Sequence, residues 1–250
     1  AWNVRTPNLS GHLLGSTSLD LIWCDSIATY EQLRPSLPMK VPVVLDLADL
    51  PESRARLRRH ARAATTDSLA RLRSAFFERH VHRTYQRYYL TGAPDCLFTV
   101  CSLVDAARLP VPSMVVPNCY PVISFLPSRR PNSQFTIVFV GSMAYEPNTD
   151  AAQYFVTNIL PLIRSLIPSV RVQLVGGGER SIAHLHRPPT VEVVGFVPNV
   201  SGYLQEADVC VVPIRFGGGT RVKILEAMAH GVPCVSTNVG AEGLELVSGK

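Results

Sequence analysis

Two cations and a carboxylate crowd into one short stretch of the chain: Arg221, Lys223 and Glu226. Glu226 follows Lys223 by three residues, so on a helix the two lie near one face. Arg221 and Lys223 fall in the expected first turn of that helix, where unsatisfied N–H groups and the macrodipole already make a positive end. Two more positive charges there break a local rule unless an anion joins them. A phosphate or diphosphate satisfies every one of these groups at once. Glu226, an acceptor-only carboxylate, suits two neighbouring hydroxyls such as those of a ribose. Taken singly, each residue has a plainer reading: a basic residue in a first turn is commonly solvated, and a lone Glu on a helix commonly sits on the surface. Gly217, Gly218 and Gly219 in front of them allow positive φ and close approach of a ligand to the backbone, and it is the combination that points to anion binding.

The elements that must position this cluster alternate between strand and helix. Val209–Ile214 has strand length and β-branched content, and it ends at the glycines. Val222, Ile224, Leu225, Met228 and Ala229 then step at helical spacing, Gly231 and Pro233 supply a stop, and a second strand follows before Thr237. Upstream, Phe135–Val140 reads as a strand ending at Gly141. A helix is expected from about Asn148–Asp150, with Phe155, Ile159, Leu162 and Leu166 on its inner face and Pro161 bending it. Strands at Val170–Val175 and Val191–Val194 and a short helix through Tyr203 complete the series. Gly141, Gly176–Gly178, Phe196–Val197 and Gly217–Gly219 all fall at carboxyl ends of strands, where open α/β sheets bind nucleotides.

The first half shows a similar alternation, with strands expected at Leu19–Cys24, Val41–Leu47, Cys96–Cys101 and Met114–Val116. LPSRRPNSQ (126–134) reads as a linker. The division expected is therefore 1–126, a linker at 127–134, and 135–250. A chain of 250 residues with 46% hydrophobic content is long enough for two cores and is globular in composition. No run of about 18 apolar residues is present that would span a bilayer, and residues 1–20 have no basic start followed by an apolar core, so no signal peptide is read there. The six cysteines are scattered without a CxxC pair and read as buried free thiols of a reducing, cytoplasmic compartment. No acidic pair or His/Cys cluster is spaced to hold a metal. His80, His82, His184 and His186 pair at i, i+2 and read as surface residues.

Between Glu52 and Leu90 a long helical region carries ten arginines against three acids. Two readings stay open, a solvated helical face or contact with an anionic membrane surface or lipid-phosphate acceptor. Nucleic acid is disfavoured, since no basic and aromatic interleaving accompanies the charge.

The stretch GGGTRVKILEAMAHGVPCVST resembles the donor-binding signature GxGTRxKxLEAMAxGxPVVST of a branch of the retaining glycosyltransferases of family four. The likeness continues through FVGSMAYEPNTDA (139–151), PLI (161–163), VRVQLVGGG (170–178), VEVVGFVPNV (191–200), YLQEADVCVVP (203–213) and NVGAEGL (238–244), and more weakly through VVLDLADL (43–50), FTVCS (98–102) and VVPN (115–118). It implies the GT-B fold, two Rossmann-like domains facing across a cleft. It implies a retaining, hexosyltransferase-type enzyme of polysaccharide biosynthesis that moves a sugar from a nucleotide-diphosphate donor to a glycan, lipid-linked or small-molecule acceptor, needing no cofactor or metal.

By the same resemblance, Arg221 and Lys223 neutralise the donor diphosphate and Glu226 holds the ribose. Gly219 and Thr220 match backbone contacts to phosphate, Phe196 and Val197 match the loop that meets the base, and Gly141 and Gly218 join them as donor-binding residues. Asp49, beside Asp46 in DLAD, falls near the acceptor-side catalytic position, with a helix-cap or turn reading of equal standing. Three departures stand out. Gly218 occupies the place of the family's first Glu, Ser142 that of a common Arg, and the chain opens on AWNVRTPNLSG where the family starts with a strand and a glycine-rich loop. Stopping at Lys250, the chain also lacks the family's last strands and helix, so both domains are expected to be partial. A catalytically silent nucleotide-binding scaffold and a GT-B sugar-nucleotide epimerase are the alternatives.

Overall fold

Strand β5 (Thr136–Val140) is the run TIVFV, buried along its whole length. A strand with no polar face to give to solvent belongs in the middle of a sheet covered on both sides. The computed structural model, which describes residues 19–36, 41–47, 50, 96–123 and 134–247, places it there. The described residues divide into two compact units, one up to Pro117 and one from Asn118 onward. Asp49, the arginine-rich region at 52–90 and linker residues 127–133 lie outside the described residues.

In the second unit, β5 is flanked by β6 (Arg171–Val175) and β8 (Val209–Val212), with β7 (Val191–Gly195) outside β6 and β9 (Cys234–Ser236) outside β8. Every pairing is parallel. The order β7-β6-β5-β8-β9 is the first five positions of the Rossmann arrangement. Its core gathers Phe139, Val172, Leu174, Cys210 and Val212 from the strands with Leu204, Ile224 and Ala227 from the helices.

Helix α3 (Glu146–Tyr154) starts somewhat earlier than its apolar spacing predicts, because Pro147 occupies the first turn, where its missing N–H costs nothing. A π turn, Phe155–Ile159, then joins it to α4 (Leu160–Leu166), and the Leu160 N–H bonds the Phe155 carbonyl five residues back. One extra residue in a turn rotates everything downstream by about 100° around the axis. The expected inner face is therefore only half right. Phe155 and Leu160 are buried and Ile159, Ile163 and Ile167 pack against the core, whereas Leu162 and Leu166 are 69% and 84% exposed.

Among the described residues, the first unit has four parallel strands in chain order: β1 (Ile22–Cys24), β2 (Val43–Asp46), β3 (Cys96–Val100) and β4 (Ser113–Val115). Cys24, Val43, Leu45, Phe98 and Val100 share a face and make its core with Ile27, Tyr30 and Leu50. Two short helices follow strands. Ser26 caps α1 (Ile27–Leu33) by accepting from the Thr29 N–H at 3.1 Å. Ser102 caps α2 (Leu103–Arg108), accepting from the Asp105 N–H and donating to the Asp105 carboxylate at 2.7 Å. The cysteines are free thiols, but only Cys24, Cys101 and Cys210 are buried; Cys96 and Cys234 are half-buried, and Cys119 is exposed because it belongs to the extended segment after β4 and not to a strand interior.

The register set by the π turn has a direct test in urea unfolding. Leu160→Ala should cost about 2–4 kcal/mol through loss of burial and a cavity, while Leu166→Ala, expected to be costly from spacing alone, should stay within about 0.5 kcal/mol.

Candidate functional site

From β5 the chain proceeds outward through β6 and β7, then returns to lay β8 and β9 on the other flank. The order reverses between β5 and β8, and at such a switch point the connections leave in opposite directions and open a crevice beyond the carboxyl ends. Gly141 follows β5 directly, and Gly217–Gly219 follow β8 within a short loop. Arg215 anchors that loop, stacking 4.5 Å over the Tyr154 ring and donating through Nε to Asp150 at 2.8 Å.

Helix α6 (Val222–Ala229) is clamped to the sheet by Ile224 and Ala227, both fully buried. Val222 and Met228 are more than 40% exposed, so the stripe read from spacing is displaced towards Ile224. Arg221 is the cap residue rather than part of the first turn, and Lys223 is the second helical residue. The helix ends where Gly231 and Pro233 predict, with the Gly231 N–H returning to Met228.

The Arg221 guanidinium is not a solvated surface group. The residue is only 8% exposed, and Nη1 donates to the Gly218 carbonyl. Nε and Nη2 are buried without a hydrogen-bond partner. The loop wraps it closely: Gly217 has φ of +115°, and a Cβ on it would lie 3.0 Å from Nη2. A buried cation with two idle donors costs free energy unless an acceptor arrives.

The Lys223 ammonium reaches back under β5. It donates to Asn148 Oδ1 at 2.7 Å and sits 4.5 Å over the Phe139 ring. Asn148 Nδ2 is spent on the Ser142 carbonyl at 2.8 Å, which turns the amide oxygen towards the lysine. Gly141 is required here by close approach, because a Cβ would fall 2.6 Å from Lys223 Nζ. Burial, and then the neighbouring Arg221 charge, push the Lys223 pKa down to about 7.

Glu226 Oε1 accepts from the Tyr120 hydroxyl at 3.0 Å, and the Thr220 hydroxyl accepts from Asn118 Nδ2. Phe196, just past β7, is 76% exposed, and Val197 packs against the core. Gly141 abuts Gly176, and Gly177 lies beside Phe196, so a continuous run of contacts joins Lys223 to the Phe196 loop. Gly218, Gly219 and Thr220 form the turn over Arg221. The structure thus brings Gly141 and Lys223 into contact and connects them to the Phe196 loop through Gly176 and Gly177, sets the Gly218 carbonyl on Arg221, and leaves Glu226 farther along α6. In the first unit, Asp46 accepts from Thr99 at 3.1 Å across the β2–β3 pairing. His184 and His186 are exposed.

Several participants carry no signature that reading along the chain would detect. Asn148 and Phe139 meet Lys223 only because β5 and α3 converge on α6. Tyr120 and Asn118 come from far upstream, and only the VVPN stretch hinted at the latter. Buried His230 contacts the Glu226 carbonyl through Nδ1 at 2.8 Å and Ser201 Oγ through Nε2 at 2.9 Å. Among the described residues, no three His, Cys, Asp or Glu are grouped to hold a metal, and no helix is long and apolar enough to cross a membrane.

Lys223 should leave a mark on stability. Between its folded pKa of about 7 and its ordinary 10.5, the unfolded chain holds a proton that the folded chain has released, so this group makes stability rise with pH across that window. In urea unfolding at pH 7, 8 and 9, Lys223→Met should be the more stable protein at pH 7, and its advantage should shrink as pH increases. A constant gap would contradict the buried ammonium.

Residues 134–249 match the family model described as Glycosyl transferases group 1. No curated protein matches the chain in sequence. Among solved structures, a TarM variant from S. aureus in complex with fondaparinux, alpha-GlcNAc-glycerol and UDP superposes with a TM-score of 0.59 at 10% identity, over 88% of this chain and 41% of TarM. HepE from Anabaena in complex with UDP-glucose gives a TM-score of 0.59 at 17% identity, over 92% of this chain and 62% of HepE. The pneumococcal O-GlcNAc transferase GtfA in complex with UDP and GlcNAc gives 0.56 at 14% identity, over 88% and 42%. The chain spans less than two thirds of the length of each. At these identities the likeness is one of fold, and the two parallel α/β units are the Rossmann-like domains of the GT-B fold, the second of them matching the group 1 glycosyltransferases.

Proposed function

We propose that the chain transfers a sugar, with retention, from a nucleoside-diphosphate donor to a glycan, lipid-linked or small-molecule acceptor in the cytoplasm. The observation that carries this reading is Arg221: a buried guanidinium at the sheet's switch point, with two donors lacking any acceptor. A bound diphosphate would supply the missing acceptors. Glycosyl transfer builds negative charge on the departing diphosphate, so cations already desolvated and aimed stabilise the transition state more than the bound ground state. In this reading Arg221 and Lys223 take that charge, the Gly218–Thr220 turn offers N–H groups to phosphate, and Glu226 accepts from the ribose hydroxyls. Phe196 and Val197 meet the base, and Asp49 serves the acceptor side. The UDP and sugars bound in the TarM, HepE and GtfA structures support a nucleotide sugar as donor.

A binding scaffold of the same fold is the second reading. It is favoured by Gly218, which has no side chain with which to touch a donor sugar, and whose carbonyl already occupies Arg221 Nη1. Sugar transfer or hydrolysis of the bound nucleotide sugar separates the two.

Calorimetry with UDP, GDP and ADP tests the shared part of both readings. At least one should bind, and Arg221→Ala should weaken it tenfold or more, about 1.4 kcal/mol, as expected for charge-assisted bonds to phosphate. Binding of none of the three removes the donor site. UDP-glucose, whose diphosphate has no proton to lose near neutrality, should bind several-fold tighter at pH 6 than at pH 8, because the Lys223 ammonium is charged below about 7. In Lys223→Met that slope should vanish.

A further inference from the structure

The extended segment after β4 enters the second unit at Asn118 and lays two side chains on the donor motif, one on each side of exposed Cys119. Asn118 Nδ2 donates to the Thr220 hydroxyl oxygen, and the Tyr120 hydroxyl donates to Glu226 Oε1 at 3.0 Å. The two groups touched are the hydroxyl at the end of the glycine turn and the carboxylate of α6. They are separated from the segment by 102 and 106 residues of chain.

The direction of each hydrogen bond leaves something free. Because Thr220 accepts from Asn118, its own hydroxyl hydrogen remains available to a phosphate oxygen. Because Tyr120 occupies one lone pair on Oε1, the carboxylate keeps its other acceptor sites, and the side chain is held in one orientation. A glutamate fixed in this way has already lost the rotamer freedom that a bound diol would otherwise have to remove. Tyr120 is itself braced. Its ring lies 6.1 Å from that of His230, tilted by 52°, and His230 is held by the Glu226 carbonyl and the Ser201 hydroxyl. The Glu226 region is therefore gripped from the segment, from the end of its own helix and from helix α5 (Ser201–Glu206). Partial burial, and then the bond to Glu226, push the Tyr120 pKa above its usual value, which keeps the phenol a donor across the physiological range.

We propose that Asn118–Tyr120 is a positioning strap for the donor nucleoside, in which Tyr120 orients Glu226 to select a ribose over a deoxyribose and Asn118 orients the Thr220 hydroxyl towards phosphate. This rests on the reading of Arg221, Lys223 and Glu226 as the donor site. Neither strap residue touches the reacting atoms; both act through the groups they hold.

Calorimetric titration compares the tightest binder among UDP, GDP and ADP with its 2′-deoxy form and with inorganic pyrophosphate, on the wild-type chain, Tyr120→Phe and Asn118→Ala. The wild type should prefer the ribonucleotide about tenfold over the deoxy form. Tyr120→Phe keeps the ring against His230 and removes only the hydroxyl. It should weaken ribonucleotide binding several-fold and bring the ratio to within about twofold of unity, with pyrophosphate binding changed less than twofold. Asn118→Ala should do the reverse, weakening pyrophosphate and both nucleotides alike while keeping the ratio, a contrast that general loosening of the fold would not produce. Ribonucleotide bound by the wild type with the same ratio in Tyr120→Phe overturns the strap and leaves the donor site standing. If the wild type binds no nucleotide and no pyrophosphate, the donor reading itself falls.

Discussion

The structure depends on a positive charge kept out of water. Arg221 lies beneath its own glycine turn and Lys223 against the Phe139 ring, both at the carboxyl edge of a parallel sheet. Neither faces a carboxylate ion pair among the described residues, and each has neutral partners instead, a peptide carbonyl for one and an amide oxygen for the other. In a protein arranged only for stability these charges would be placed in solvent or paired. Holding them desolvated raises the energy of the empty site and strengthens its attraction for an anion, a trade expected where function is concentrated.

What permits that trade is the rigidity of the surrounding sheet. β5 is buried throughout and lies between β6 and β8, so its end cannot shift to relieve the crowding around Gly141 and Lys223. Ile224 and Ala227 seat α6 on the same core, and the loop after β8 is tied down by Arg215 on Asp150 and Tyr154. The cations are thus carried on a frame with few ways to yield, and the strap from Asn118 to Tyr120 brings two more side chains onto the same helix and turn. Side chains distant in sequence meet there because a parallel sheet collects the ends of all its strands on one edge.

Much of this was legible along the chain. Parallel strands buried on both faces are continuous apolar runs, so their existence and approximate limits can be read directly, as in TIVFV and VCVV. The cluster of glycines, Arg221, Lys223 and Glu226 was visible because it contradicts helix electrostatics over a few consecutive residues, and local contradictions need no fold to be seen. The match of residues 134–249 to the group 1 glycosyltransferase model is carried by the same local kind of pattern.

Tertiary structure decided the rest. Spacing assumes an uninterrupted α-helix, and one π turn before Pro161 moved Leu162 and Leu166 from the core to solvent. Whether Arg221 was solvated or buried, and whether Lys223 kept an ordinary pKa, depended on how tightly a loop and a neighbouring strand closed around them. Desolvation is a property of surroundings and not of residue type. Asn148, Tyr120 and His230 joined the site through contacts between separate elements, which leave no period or motif in the chain. Sequence alone determined which charged residues and glycines fall close together and on which strands and loops, because charge and hydrophobic pattern are local. Only the packed fold determined which of those groups are starved of partners, because that depends on what else fills the space around them.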